Sequence, residues 1–157
     1  MTPTDWPAVH RIFEAGIATG TATLEPAAPS WMAWDDTHLD RCRMVAEDDG
    51  EVVAWAALSP VTGPCEYGGV GEISIYVAED ARGKKLGSKL LDALVRESEA
   101  AGLWTLQAQI FRENTASIHI HEIAGFRIVG IRERIGKTNG EWHDIVLMER
   151  RSPVVGV

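Results

Sequence analysis

Two spacings of apolar residues alternate along the chain. Val9, Ile12 and Phe13 fall on one helical face, so TPTDWPAVHRIFEAGIATG predicts a first helix capped by Thr4 and stopped at Gly16 or Gly20. TATLEPAAPSWMAWDD carries Pro26 and Pro29 and reads as an ordered loop leading to a short helix near His38 to Arg43. RMVAEDDGEVVAWAALSP gives two strand-like runs about Asp49-Gly50, which predicts a hairpin. VTGPCEYGGVG follows, glycine-rich and flexible in composition. EISIYV then alternates, with Glu72, Ser74 and Tyr76 on one face and Ile73, Ile75 and Val77 on the other. LGSKLLDALVRESEAAG returns to helical spacing: Leu86, Leu90 and Leu94 make one ridge, Leu91 and Val95 the next, and Gly102 is the stop. LWTLQAQI reads as a strand, and NTASIHIHEIAG as a short helix capped by Asn114 and stopped at Gly125. FRIVGIRERI and EWHDIVLMER are two last strands joined across Asn139-Gly140.

The predicted order is helix, helix, three strands, helix, strand, helix, two strands. Hairpins interleaved with strand-helix-strand units imply an α/β sandwich about one mixed sheet with helices on both faces. A length of 157 residues, 45% of them hydrophobic, suits a single domain over 1–157 with a sizeable core.

Charge narrows the partners. A net charge of -8 argues against nucleic acid, which needs a broad basic surface. No apolar run approaches the ~18 residues of a membrane span, and no basic-then-apolar segment opens the chain. Cys42 and Cys65 are the two cysteines, without a C-x-x-C pair, so a reducing cytoplasmic setting is the simpler expectation. The histidines have no zinc spacing, His119 and His121 being two apart, and no metal is expected.

One segment runs against this acidic background. In RGKKLGSK, from Arg82 to Lys89, four of eight residues are cationic, none is acidic, and glycines stand at 83 and 87 where a helix begins. A helix start offers unpaired N–H groups and a partial positive charge, and glycine lets a ligand approach the main chain. The segment is either a cradle for a phosphate-bearing anion or a basic surface loop before a routine helix. The Walker pattern fails on spacing and G-x-G-x-x-G is absent, so neither common nucleotide loop is present.

Arg82-Gly83-Lys84-Lys85-Leu86-Gly87-Ser88 resembles the acyl-CoA pyrophosphate loop, Q/R-x-x-G-x-G/A, of GCN5-related N-acetyltransferases (GNAT). EISIYV, the N-x-x-S-I-x-x-H-E-x-x-G-F run and the late W-x-D resemble the phosphinothricin and amino-acid N-acetyltransferase subgroup, as does TATLE at 21–25. The resemblance implies a GNAT fold whose fourth strand, here 72–77, splays from the fifth around acetyl-CoA. It implies an N-acetyltransferase acting on a small primary amine, an amino acid or an analogue such as phosphinothricin or methionine sulfoximine. An isologous homodimer with the substrate pocket near its interface is also expected.

The resemblance also assigns residues. Ile75, Tyr76, Val77, Arg82, Gly83, Lys84, Lys85, Leu86, Gly87, Ser88, Asn114 and Ser117 are expected at the coenzyme; Glu25, Trp31, Tyr67 and Glu72 at the acceptor. Glu72, opening the strand before the loop, is the candidate general base, against the plainer reading of a solvated or ion-paired carboxylate. His121 shares a helical face with Asn114 and Ser117 and is either a proton donor to the departing thiolate or a structural histidine. His119 is expected at the surface, and His143 and Asp144 face opposite ways along a strand and form no dyad. Trp31, Trp34, Trp55, Trp104 and Trp142 suit core positions more than a pocket, with Trp31 and Trp34, which follow TATLE, also candidates for an apolar wall.

Three features depart from the family. Lys85 stands where the pattern has glycine, and an ordinary backbone with the side chain turned outward is expected there. Gly68 replaces an arginine that in the subgroup follows the counterpart of Tyr67 and is proposed to hold a substrate carboxylate. No strand is expected before the first helix, because that strand is absent or the start is late. Three rivals stay open: another amine (peptide, polyamine or drug), a CoA-binding module without catalysis, and a plain nucleotide binder.

Overall fold

The computed structural model describes residues 1–61 and 68–157. Its elements are α1 (Trp6–Ala18), α2 (Trp31–Thr37), β1 (Arg43–Asp48), β2 (Glu51–Pro60), β3 (Val70–Val77), α3 (Leu86–Ala100), β4 (Thr105–Phe111), α4 (Thr115–Ile123), β5 (Arg127–Thr138) and β6 (Glu141–Arg151). They follow the expected order. The six strands form one sheet, β1-β2-β3-β4-β6-β5, antiparallel throughout except where β3 lies parallel to β4.

Alternation along β2 explains why the sheet is covered on both sides. Ala54, Ala56 and Leu58 point into an aliphatic core with Leu90, Leu91, Leu94 and Val95 of α3. Trp55 and Ala57 point the other way, into a second core with Val9, Ile12 and Phe13 of α1 and Trp34 of α2. Each leucine that α3 buries contributes about 2 kcal/mol, so this ridge fixes where the N-terminus of α3 stands. The second core is aromatic: Trp34 lies 5.4 Å from Trp6, 5.7 Å from Trp31 and 5.9 Å from Trp55 between ring centroids.

Both hairpin turns form as expected. Asp49-Gly50 and Asn139-Gly140 all have positive φ, the geometry that two-residue turns between twisted strands require. Asn114 caps α4 by accepting from the Ser117 N–H at 3.2 Å. No strand precedes α1 among the described residues.

The short helix is misplaced in the sequence reading. It occupies Trp31–Thr37, capped by Ser30, and His38 to Arg43 is the exit into β1. Propensity around the prolines suggested a loop; burial of Trp34 and an Arg43–Asp35 ion pair stabilise a helix there. Thr4 does not cap α1; it lies in a 3-10 turn, Pro3–Asp5, where the Thr2 N–H donates to the Asp5 carboxylate at 2.6 Å. Of the two expected stops, Gly20, with φ 71°, follows the end of α1, and Gly16 lies inside the helix, where the Tyr76 ring leaves room for no side chain: a Cβ there would be 2.7 Å from Tyr76 Cδ1. The glycine-rich stretch after β2 falls largely on residues 62–67, outside the described residues, as does Cys65.

Candidate active site

The site begins where the sheet stops being a sheet. β3 and β4 pair over three positions only, Val70–Thr105, Gly71–Leu106 and Glu72–Gln107. Beyond them β3 stays with β2 as far as Val77, and β4 stays with β6 as far as Phe111. The two strands diverge from the apex at Glu72. Along the open edge, the β4-facing main chain of Ile75, Tyr76 and Val77 has no strand partner among the described residues, leaving polar groups for an extended ligand to pair with.

One cavity, of about 900 Å³, runs from this edge to the start of α3. Lys85, the residue before α3, adopts φ 60° and ψ 21°, and Gly83 has φ 80°. Two left-handed residues in three turn the chain sharply, and no side chain caps the helix. The first-turn amides of Leu86, Gly87 and Ser88 therefore lack side-chain partners, and no acid stands in that turn. Such an end receives an anion, with Arg82 and Lys85 in the wall adding full charges. The residues fit a diphosphate with an extended arm.

The ordinary backbone expected at Lys85 is corrected here: the loop's closure demands the left-handed form, which costs a non-glycine residue about 1 to 2 kcal/mol. Lys84 also departs from expectation. Its ammonium sits 2.6 Å from Asp48 Oδ2, turned toward the β1-β2 hairpin, and it does not line the cavity; Asp48 holds its pKa above the ordinary value. Gly87 serves packing as much as approach, because a Cβ there would be 3.2 Å from Ile120 Cδ1 of α4.

A second cavity, of about 320 Å³, fills the wedge below the apex. Ala22, Ile75, Tyr76, Asn114 and Ser117 line both cavities, so they meet at the splayed edge. Glu72 lies in its wall, held by two amides: Gln107 Nε2 donates at 2.7 Å, and Gln109 Nε2 at 3.0 Å. With both amides donating, the carboxylate is fixed in direction and keeps lone pairs for a proton. Tyr76 stacks on Trp55 with 4.8 Å between ring centroids. Burial pushes its phenol up to about 12, a hydrogen bond with Thr23 opposing and the Glu25 charge assisting, so it stays neutral.

His121 is buried to 1% exposure. Its Nδ1 lies 2.8 Å from the Ser117 carbonyl, and Nε2 has no partner. Burial holds its pKa below the ordinary value, against the pull of that carbonyl. A neutral ring that donates Nδ1–H to a carbonyl leaves a lone pair at Nε2, so His121, a residue of the cavity lining, holds a buried acceptor without a partner among the described residues.

Of the residues predicted from sequence, Glu25, Glu72 and His121 line the wedge cavity, and every expected coenzyme residue but Lys84 lines the channel. Trp31 lines neither; with Trp34 it packs into the aromatic core, where burying an indole outweighs presenting it to a ligand. Tyr67 lies outside the described residues. His119, expected at the surface, is exposed but borders the channel. Sequence reasoning missed Gln107 and Gln109; their period-two spacing in LWTLQAQI put them on one strand face, but nothing local said which face met Glu72. It also missed the seat of the TATLE loop. Leu24 packs over Gly136 of β5, where a Cβ would be 2.5 Å from Leu24 Cδ1.

Comparison with known proteins follows the same lines. Residues 6–126 match the model of the Acetyltransferase (GNAT) family. The chain is 34% identical to an L-methionine sulfoximine/L-methionine sulfone acetyltransferase of Pseudomonas aeruginosa, over 92% of this chain and 88% of that one. It is 33% identical to a phosphinothricin N-acetyltransferase of Alcaligenes faecalis, over 93% and 77% respectively. Its fold superposes with a TM-score of 0.91 on a phosphinothricin acetyltransferase from Sinorhizobium meliloti in complex with AcCoA, at 29% identity, covering 99% of this chain and 88% of that one.

Proposed function

The chain belongs to the acetyltransferase (GNAT) family, and we propose that it moves the acetyl group of acetyl-CoA onto the primary amine of a small amino-acid-like acceptor of the phosphinothricin or methionine sulfoximine kind. It is an acetyl-CoA-dependent N-acetyltransferase. The observation that carries the acceptor reading is the meeting of a long channel and a compact polar chamber at Ile75, Tyr76, Asn114 and Ser117, with a carboxylate at the apex.

The chemistry follows from the residues. A primary amine is protonated near neutral pH and cannot attack. Glu72 takes its proton directly or through one water, while Gln107 and Gln109 keep the carboxylate aimed. The neutral amine then forms an N–C bond at the thioester carbon. Unpaired main-chain N–H groups of the splayed β3 edge stabilise charge on the carbonyl oxygen. As the C–S bond breaks, sulfur keeps the electron pair and needs a proton. The adduct's nitrogen must in turn lose its remaining extra proton; His121 Nε2, an acceptor at rest, takes that proton and passes it to sulfur, so a neutral amide and a free thiol leave. Acetyl-CoA, when bound, supplies the activated acyl group, and Arg82, Lys85 and the first-turn amides of α3 hold its diphosphate.

One observation favours a second reading, an amine without a carboxylate: among the described residues the wedge cavity has no lysine or arginine in its lining, and Gly68 offers none. Thiol release measured with purified protein, acetyl-CoA and a panel of amino acids, sulfoximines, polyamines, peptides and drug amines decides between them. Turnover with methionine sulfoximine or phosphinothricin supports the first reading, and turnover confined to polyamines or drug amines replaces it. Coenzyme binding with no turnover for any amine leaves a binding module.

The 157 residues are read as one catalytic domain working in the cytoplasm as a homodimer. Support for the dimer is the edge strand β5, on which the apolar Ile128, Val129, Ile131 and Ile135 are 44 to 49% exposed among charged neighbours. Sedimentation of the purified protein at the mass of two chains is the expected result.

A further inference from the structure

The acceptor chamber is electrostatically one-sided. Among the described residues Glu25 and Glu72 stand in its walls without a lysine or arginine, and the sequence of residues 62–67, TGPCEY, contains an acid and no base. An α-amino acid bears its carboxylate on the carbon that bears its amine, so a chamber with acids alone repels it at close range. A cation must be within reach if such acceptors bind.

Arg132 is the candidate; it stands beside the chamber rather than in its lining. It lies on β5 directly across from Ile145 of β6, itself a chamber residue. Its Nη1 donates to Gln109 Oε1 at 2.9 Å, and the amide nitrogen of the same glutamine donates to Glu72 at 3.0 Å. One side chain thus separates the guanidinium from the base. Arg112, Arg127 and Arg150 each meet a carboxylate at 2.7 to 3.2 Å. Arg132 meets a neutral amide and has no carboxylate within ion-pair distance among the described residues. A guanidinium carries five N–H donors in a fixed fork suited to bidentate carboxylate binding.

We propose that Arg132 binds the α-carboxylate of the acceptor while Glu72 receives the proton of its amine, with Gln109 setting the spacing between them. Arg132 would then supply on β5 the charge that Gly68 lacks, and the enzyme would favour α-amino acids over the amines left by their decarboxylation. This inference rests on the reading of the chain as an acetyltransferase for amino-acid-like amines.

The test compares methionine sulfone with its decarboxylated amine as acceptors, in the wild type, Arg132→Gln and Arg132→Lys. The expected result is a wild-type preference in kcat/KM for the amino acid. In Arg132→Gln the KM for the amino acid rises roughly 10- to 100-fold and the preference collapses toward unity, and Arg132→Lys restores part of it. A full preference retained in Arg132→Gln overturns the assignment. So does an equal fall in kcat on both acceptors, which would make Arg132 a support for Gln109 alone. A wild type without preference overturns it too, while leaving amine acetylation intact; absence of turnover on either acceptor and across the wider amine panel overturns both.

Discussion

The two cavities that meet at the splayed strands are built from different materials. The channel is built around the loop before α3, where Arg82, Gly83 and Lys85 lead into Leu86, Gly87 and Ser88, together with the edge of β3 and apolar side chains of α4 such as Ile120 and Ile123. The chamber draws on the 22–25 loop, β3, β4, α4 and β6; apolar residues such as Ile73, Ile110, Phe111 and Ile145 frame a few polar side chains, with two amides on one carboxylate. The difference matches what each must hold. A diphosphate and an extended arm carry repeating polar groups that main chain can pair with; an acceptor amine must be oriented and deprotonated at one point, which takes side chains with defined donors and acceptors. Binding of the donor and chemistry on the acceptor should therefore separate under mutation.

The sharpest separation is expected for Glu72→Gln. Turnover should fall about 10²- to 10⁴-fold while the acetyl-CoA dissociation constant, measured by calorimetry, stays near the wild-type value; unchanged turnover would remove Glu72 from the mechanism. Ser88→Asp tests the other side. A carboxylate in the first turn suits the helix dipole but repels a diphosphate, so donor affinity should fall roughly tenfold or more while the melting temperature holds or rises. Gln107→Leu removes one of the two amides that aim Glu72, and a roughly tenfold loss in kcat with little change in donor KM is expected; equal losses in both would tie the two cavities together.

Smaller effects probe the scaffold. His121 and His38 both titrate below their ordinary 6.5 because they are buried. The unfolded chain then takes up protons first as pH falls. Their contribution to stability is whole above about pH 6.5 and declines below it. Urea midpoints measured from pH 7.5 down to 5 should fall, and His121→Gln should flatten that slope. Lys85→Gly should have the least effect on the fold: relief of the left-handed backbone is offset by glycine's greater freedom when unfolded, leaving a net gain of about 1 kcal/mol or less. The lost charge should weaken acetyl-CoA binding several-fold, seen in the same calorimetric titration.

Legibility in the sequence followed locality. The amphipathic ridge of α3, the alternation of β3, the two X-Gly turns and the Asn114 cap are set by residues within a few positions of each other, and the folded chain keeps them. The loop before α3 was legible for the same reason. Its backbone was not: the left-handed Lys85 follows from where α3 is pinned by leucines buried under β2 and β3. Trp31 and Trp34 show the opposite failure. Their nearness to TATLE in sequence suggested a ligand wall, and the aromatic core took them instead.

What the chain determined by itself was its set of elements, a glycine-containing basic helix start of the kind that suits an anion and a carboxylate ahead of it, since each depends on spacing along one segment. Tertiary structure decided which of Glu72's neighbours would hold it, that β3 and β4 part after three pairs, and that Arg132 reaches Gln109 across β6. Strand pairing and side-chain contacts across a sheet join residues some 35 positions apart in Glu72–Gln107 and Glu72–Gln109, and no local spacing encodes which face of one strand will meet which face of another.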